Sequence, residues 1–575
     1  MKETILCLKN ELIGLDTFDA DELTEIKHNE KLDILVFGKG KNLTSHEEQK
    51  HFFRGMLVDH EHSEIVLGQD GFSEWKEKTM THDYTMCEGG FISIEWFKNS
   101  IEIQHDCFGL YPIFSYSDEQ ICIVSDSLFL ISRAMKMIGK TVRMNHDVHI
   151  TRSWTYGLAC SIMTKETVIQ NVFYIPPCSS LKITTGKTGF ICSEHQLAVK
   201  KVFNTENKPY METLIQAKNE MVSLVNGVSE YTKSGYRLGL SGGLDSRVIL
   251  ALLFQLSNGL EKVYINSNKH PTRNLDYTIA KSLSEKFKFN INQEIPTDGQ
   301  GPIRVKNPFG NFVLFNLGIF DMTYLYRSHW DTPTIIEIGG HGAEISKGTF
   351  SNIKLTRKVS IKRPGKKIAL HKELRNSLKP FNMKVREKNS SQWHHLLYKS
   401  AIQNGRFLER TQLSLRPLMN RKLAALGFKN KKSENTILKD LLILLSPELA
   451  LQPFDQSSKN IDESYIKKIL EESKKFDSVS KVKYSLFGDS STMKNGTLNS
   501  FDSLTQKYTL DSSDKNKELL NMMENMWRGL KDKKLKRIYS QSYNLAKERL
   551  TNETSYFPSA GSPASKVIAL GILFD

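Results

Sequence analysis

The stretch YRLGLSGGLDSRVIL, residues 236–250, constrains this chain more than any other. An apolar run of strand character enters two glycines, and RVILALLFQLS (247–257) leaves them with helical spacing. A strand feeding a glycine loop that opens a helix is a phosphate cradle. Gly242 and Gly243 let backbone N–H groups face a phosphate closely, and the helix points its positive end at it. Ser241 and Ser246 add hydroxyl donors. Asp245 cannot bind phosphate directly, because two anions repel; its place is as a ligand for Mg2+ carried by a nucleotide. No Lys follows the glycines, so this is not the Walker pattern. The bland alternative is a plain Gly-Gly turn with an Asp in the first helical turn, but every local choice agrees with a cradle.

The alternation continues around the loop. METLIQAKNEMVSLVNGVSEYT (211–232) has helical spacing, KVYIN (262–266) reads as a strand and DYTIAKSLSEKF (276–287) as a helix. Strands alternating with such helices predict a parallel α/β sheet. Beyond residue 370 the text is helical, with a polar Ser-rich stretch at 488–506 read as loop or insertion. The first 200 residues read mostly as short strands: 31–38, 90–97, 100–106, 113–117, 121–126 and two joined by the TTGKTG turn within 174–191. A polar segment, FNTENKPYME (203–212), marks the linker. The expected domains are 1–205 and 206–575, with a polar insertion at about 475–515.

Length and composition bound the partners. At 575 residues the chain suits two to four domains, and 39% hydrophobic with 25% charged residues describes a globular protein. Cys7, Cys87, Cys107, Cys122, Cys160, Cys178 and Cys192 are odd in number and contain no CxxC, which fits neither a disulfide framework nor a zinc site. Neither a signal-peptide h-region nor an apolar stretch of about 18 residues is visible, so the expectation is a cytoplasmic chain without a membrane span. The net charge of +15 favours anionic partners without choosing among them. Locally, KLTRKVSIKRPGKK (354–367) carries seven Lys or Arg and no acid; it reads as a solvated loop or as a funnel for an anion.

LSGGLDS resembles the pyrophosphate-binding loop of the ATP pyrophosphatase superfamily, and in this spelling the glutamine-hydrolysing (class B) asparagine synthetases and β-lactam synthetases. The resemblance implies ATP and Mg2+, a carboxylate activated as an acyl-adenylate with release of pyrophosphate, and attack by an amine or ammonia. It makes Leu240, Ser241, Gly242, Gly243, Leu244, Asp245 and Ser246 the nucleotide-binding stretch, with Ile265 of VYINS beside the adenine. NLDYTIAKSL is similar to the family's acidic-helix segment through Asp276, Ala280 and Leu283. IGGHGAEISKG (338–348) resembles its second glycine-rich loop, so that Gly339 and Gly340 would approach the nucleotide and Glu344 would join Asp245 on the metal. LSLRPLMNRKLAALGF (413–428) resembles a later segment, with Arg416 and Asn420 in place. GGFISIEW, HDCFGLYPIFSYSD and IVSDSLFLIS resemble the amidotransferase-like layer fused to these synthetases. The implied fold class is α/β: an N-terminal αββα sandwich of the Ntn-hydrolase type, then a Rossmann-like parallel α/β ATP pyrophosphatase domain with helical C-terminal additions.

Three departures shape the expected chemistry. Working glutaminase domains use a cysteine at position 2, where this sequence has Lys2, and Cys7 sits in an apolar strand pattern without an adjacent amine. The expected N-terminal domain is therefore an inactive glutaminase kept as scaffold. His341 stands where asparagine synthetases carry an acid near the acyl acceptor, which suggests a different substrate. The late pyrophosphate lysine of the family is displaced: Phe454 and Asp455 stand around its spacing, Lys459 is close, and Lys347 of the second loop is another cation that could serve. Hence the expected catalytic set is Asp245, Glu344, His341 and Lys459 in an ATP-dependent, AMP-forming carbon–nitrogen ligase. The competing readings are asparagine synthesis itself, intramolecular amide formation of the β-lactam synthetase or lasso-peptide-cyclase kind in natural-product or surface-polysaccharide biosynthesis, an RNA-modifying ATP pyrophosphatase, and a non-catalytic scaffold. No RNA-binding module is legible, so nucleic acid is disfavoured as a partner; a homodimer stays open.

Overall fold

The computed structural model describes residues 5–9, 23–27, 33–37, 51–79, 83–97, 100–118, 121–153, 160–185, 190–204, 208–231, 235–295, 303–304, 307–321, 330–331, 335–350, 355, 364–405, 414–429, 435–476, 483–488, 507–510, 514–552 and 561–574. In chain order the strands are β1 (Ile5–Lys9), β2 (Leu23–Lys27), β3 (Asp33–Phe37), β4 (His51–Asp59), β5 (Glu64–Leu67), β6 (Glu88–Phe97), β7 (Ser100–His105), β8 (Ile113–Ser117), β9 (Ile121–Ser125), β10 (Val172–Ile175), β11 (Ser179–Thr185), β12 (Phe190–Gln196), β13 (Tyr236–Gly239), β14 (Val263–Asn266), β15 (Ile303–Arg304), β16 (Trp330–Asp331), β17 (Ile336–Ile338), β18 (Ser414–Leu415) and β19 (Ser485–Phe487). The helices that matter below are α1 (Gly68–Lys78), α2 (Leu128–Met137), α3 (Tyr210–Tyr231), α4 (Leu244–Leu253), α5 (Asn274–Phe287) and α6 (Gly561–Phe574). The architecture is mixed α/β, with parallel and antiparallel sheets.

Two sheets come largely from the first 200 residues. The first runs β10-β8-β9-β1-β3-β2 and is antiparallel throughout. Cys7 lies mid-strand in β1, opposite Leu35 on one side and Ile123 on the other. The second runs β12-β11-β7-β6-β4-β5-β19. Alternation along β4 sends Phe52 into the core shared with the first sheet and Phe53 into a cluster with Phe72 and Trp75 of α1. Thus α1 covers one face of the second sheet, and α2 packs on β9 of the first. Cys87, Cys107, Cys122, Cys160 and Cys178 are buried free thiols, as small hydrophobes in such a core should be.

Later chain completes these layers. β19 lies inside the stretch read as a polar insertion, yet pairs in parallel with β5. Ser132 of α2 donates to the Leu573 carbonyl of α6 at 2.6 Å. The shared core also takes in Phe309–Phe320, Leu370–Ile402 and Val567–Leu573. Lys2, residues 205–207 of the linker, residues 489–506, and most of the basic run 354–367 lie outside the described residues. Among the described residues no helix is long and apolar enough to cross a membrane.

The third sheet runs β14-β13-β17-β18, all parallel. From β13 the chain passes through α4 to β14 on one side, and after α5 it returns to β17 on the other. The strand order therefore reverses at β13. In open α/β sheets the crevice beyond the carboxyl ends at such a reversal is where ligands bind.

Candidate functional site

Both glycine loops lie at that reversal. Residues 240–245 follow β13 and residues 339–344 follow the neighbouring β17. The loops touch: a Cβ added to Gly340 would lie 2.9 Å from the Asp245 Cβ and 3.0 Å from its carbonyl carbon. At Gly342 the backbone has φ of 88°, and a side chain there would collide with Met419. The two positions need glycine for different reasons, close approach and left-handed backbone.

In the first loop the N–H groups of residues 240–243 are each engaged by a protein acceptor. Ser241 N–H donates to Ser246 Oγ (3.1 Å), Gly242 N–H to Asp276 Oδ1 (2.9 Å) and Gly243 N–H to Ser241 Oγ (3.3 Å). The Leu240 N–H reaches the Asn266 carbonyl at 2.8 Å, which ties the loop to β14. Leu240, Leu244 and Ile265 are buried in the core around the third sheet. Asp245, at the first turn of α4, is half-buried and pairs with Lys347 Nζ at 2.6 Å.

Glu344 stands in the turn Ala343–Ser346, and its Oε1 accepts from Ser400 Oγ and Asn404 Nδ2, each at 3.1 Å, with His395 Nε2 at 3.5 Å. These partners come from a helical stretch whose segment His395–Ser400 is a π-helix, a form often found where function needs unusual side-chain placement. Burial alone would raise the Glu344 pKa; the hydrogen bond and charge of His395, with Asn404, outweigh it and pull it down to about 2. Glu344 is an anion at any physiological pH.

Behind the first loop Arg247 is fully buried. Its guanidinium lies 3.7 Å from the Phe454 ring centroid and donates to the Gln452 and Pro453 carbonyls at 2.7 and 2.6 Å. This clamp brings Asp455 against the loop, where its N–H donates to the Gly242 carbonyl at 3.2 Å. Lys459 pairs with that Asp455 at 2.9 and 3.0 Å. His341 is half-buried, and a Cβ on Gly339 would lie 3.3 Å from its Cδ2. Arg416 is buried and donates to the Asn404 carbonyl, while Asn420 Oδ1 accepts from the N–H groups of Lys422 and Leu423 at the start of helix Arg421–Lys429.

The structure thus brings Asp245, Gly340 and Lys347 together and sets Asp455 with Lys459 beside Gly242. It places Glu344 on the π-helical stretch through its Oε1. Sequence reading passed over Arg247, His395, Ser400 and Asn404. A cation inside the apolar run RVILALL was the available signal for the first; the others sit in no motif.

No family model matches the chain, and no curated protein matches it. Among 23 matching chains of known structure is the glutamine phosphoribosylpyrophosphate amidotransferase of B. subtilis, solved with ADP and GMP. It shares 8% identity, covering 60% of this chain and 77% of its own, with a TM-score of 0.19.

Proposed function

We propose that the chain is an ATP-dependent, AMP-forming ligase that joins a carboxylate to an amine or ammonia. The supporting observation is the meeting of two glycine loops at the strand-order reversal, with Gly340 against Asp245. On this reading the parallel sheet is the Rossmann-like ATP pyrophosphatase core, and the two antiparallel sheets with α1 and α2 are an αββα sandwich of the amidotransferase type, acting as scaffold.

The donor chemistry suits Mg2+. Asp245 and Glu344 offer hard carboxylate oxygens, the ligand type Mg2+ takes. Mg2+ is characteristically held by one or two carboxylates plus substrate phosphates. When bound it would neutralise charge developing on the phosphates. The N-terminal end of α4 would receive the phosphate chain, and the N–H groups of Ser241–Gly243 would join it on exchanging their present partners Ser246, Asp276 and Ser241. A substrate carboxylate oxygen attacks the α-phosphorus, pyrophosphate leaves, and the amine then displaces AMP from the acyl carbon. Lys459, carried to the loop edge by Asp455, would face the departing pyrophosphate. His341, at the second loop, would face the acyl substrate.

Pyrophosphate release measured across a panel of carboxylates with ATP and Mg2+ tests this. Asp245→Asn should keep the fold and lose AMP formation, and Glu344→Gln should lower the maximal rate rather than raise the Michaelis constant. Unaltered turnover in Asp245→Asn would remove the metal assignment.

A further inference from the structure

We propose that Lys347 is a second phosphate-neutralising cation and that it reaches that role by exchange: it holds Asp245 until a divalent metal claims the carboxylate, then turns to the phosphates. This rests on the ligase reading above.

The contact that matters is Lys347 Nζ to Asp245 Oδ1 at 2.6 Å. Asp245 is the carboxylate best placed to take a metal, because it opens α4 beside the glycine loop. Metal and ammonium therefore compete for one group. A divalent ion carries twice the charge of the ammonium; where that attraction exceeds the cost of shedding its water, the metal takes the carboxylate and frees the lysine. Lys347 cannot go far. Its own N–H is bonded to the Ala343 carbonyl at 2.8 Å, which fixes its Cα one turn beyond Ala343 and Glu344. Its side chain is 18% exposed beside an Asp245 that is 39% exposed, and its flexible four-carbon stem lets the ammonium turn while the backbone stays in place.

Lys459 differs in this respect. It is bidentate on Asp455, whose backbone is bound to the loop and whose charge faces the buried Arg247. Nothing in metal binding to Asp245 would release it. The three acids around the first loop each carry a cation: Asp245 with Lys347, Asp455 with Lys459, and Asp276 with Arg273 at 3.3 Å. Only the first pair shares its carboxylate with the proposed metal.

Competition gives a signature that a structural lysine would not. In Lys347→Met, Mn2+ read by electron paramagnetic resonance on the nucleotide-free protein should bind about two- to fivefold more tightly, the range expected of a partly exposed ion pair. Inorganic pyrophosphate with Mg2+, read by calorimetry, should bind about tenfold more weakly. Lys347→Arg should restore most pyrophosphate binding, and Asp245→Asn should abolish the metal gain. If Lys347→Met does not fold, Lys347→Gln reads the same two affinities. Equal or weaker Mn2+ binding in the lysine variant, or unchanged pyrophosphate affinity, overturns the exchange while leaving the ligase reading in place. Absence of both pyrophosphate and Mg2+·ATP binding in the parent protein would overturn the ligase reading and this inference with it.

Discussion

Gly340 and Asp245 are separated by 95 positions in sequence and by no room for a methyl group in space: a Cβ on the glycine would sit 2.9 Å from the aspartate Cβ. Gly340 lies two residues beyond its strand and Asp245 in the helical turn that follows its own, so their contact fixes how far apart the two loops stand. Spacing of that kind decides whether one nucleotide can touch both loops at once.

Gly340→Ala should push the loops apart. Overpacking of this sort costs about 1–3 kcal/mol, which denaturant unfolding would register as a modest loss. The effect on the site should be larger, about a hundredfold in pyrophosphate-release rate, since displacements near 1 Å carry that penalty. An alanine variant with parental activity would show that the loops do not act together.

Arg247→Met should loosen the segment carrying Asp455 and Lys459. The methionine keeps much of the packing on Phe454 but leaves the Gln452 and Pro453 carbonyls without their donor. These acceptors are only partly buried, so water can replace the donor and each lost bond costs about 0.5–1.5 kcal/mol. Hydrogen exchange at residues 452–459 should accelerate in the variant while β13 stays protected. Uniform acceleration across the protein would mean that Arg247 supports the whole core rather than this segment.

A pH response should come from the buried pair His60–Glu88, 2.8 Å apart between β4, β6 and the segment that starts at Arg421. Burial opposes the His60 charge, but the Glu88 carboxylate overrides it, so the imidazole pKa is raised above its ordinary 6.5. Burial likewise opposes the Glu88 charge, and His60 with Arg421 overrides it, so the carboxyl pKa lies below 4.5. Stabilisation by His60 is complete below 6.5 and fades as pH rises through the raised value. Stabilisation by Glu88 is present above 4.5 and fades as pH falls through the lowered value. Urea midpoints across roughly pH 4 to 9 should therefore show a plateau that declines on the alkaline side. Glu88→Gln should cost about 3–5 kcal/mol on the plateau and flatten that decline. A flat alkaline limb in the parent protein would rule the pair out as its source.

Much of this architecture was legible locally. The strand at 236–239, the helix from Leu244 and the strand–helix pair at 263–266 and 274–287 follow the periodicity closely, because the spacing of apolar residues within each short segment reflects its own backbone repeat. The loop residues were legible for the same reason: glycines and hydroxyls at a βα turn announce themselves. What the sequence withheld is long-range. β19 has three residues and pairs with a strand some 420 positions earlier, a contact with no local signature. Ser400 at the end of a π-helical segment and Asn404 in the helix after it reach Glu344 from 56 and 60 positions away, and no residue pattern announces those bonds.

The bond from Ser132 to the Leu573 carbonyl spans 441 residues. At about 5–20 residues per second, a ribosome needs roughly 20–90 s to deliver α6 after α2 has emerged. Throughout that interval α2, already packed on β8 and β9, lacks the C-terminal helix that completes its cover. The antiparallel layers made first are thus among the last parts of the molecule to be sealed, and a nascent chain stalled before residue 561 would present a sticky apolar surface to chaperones.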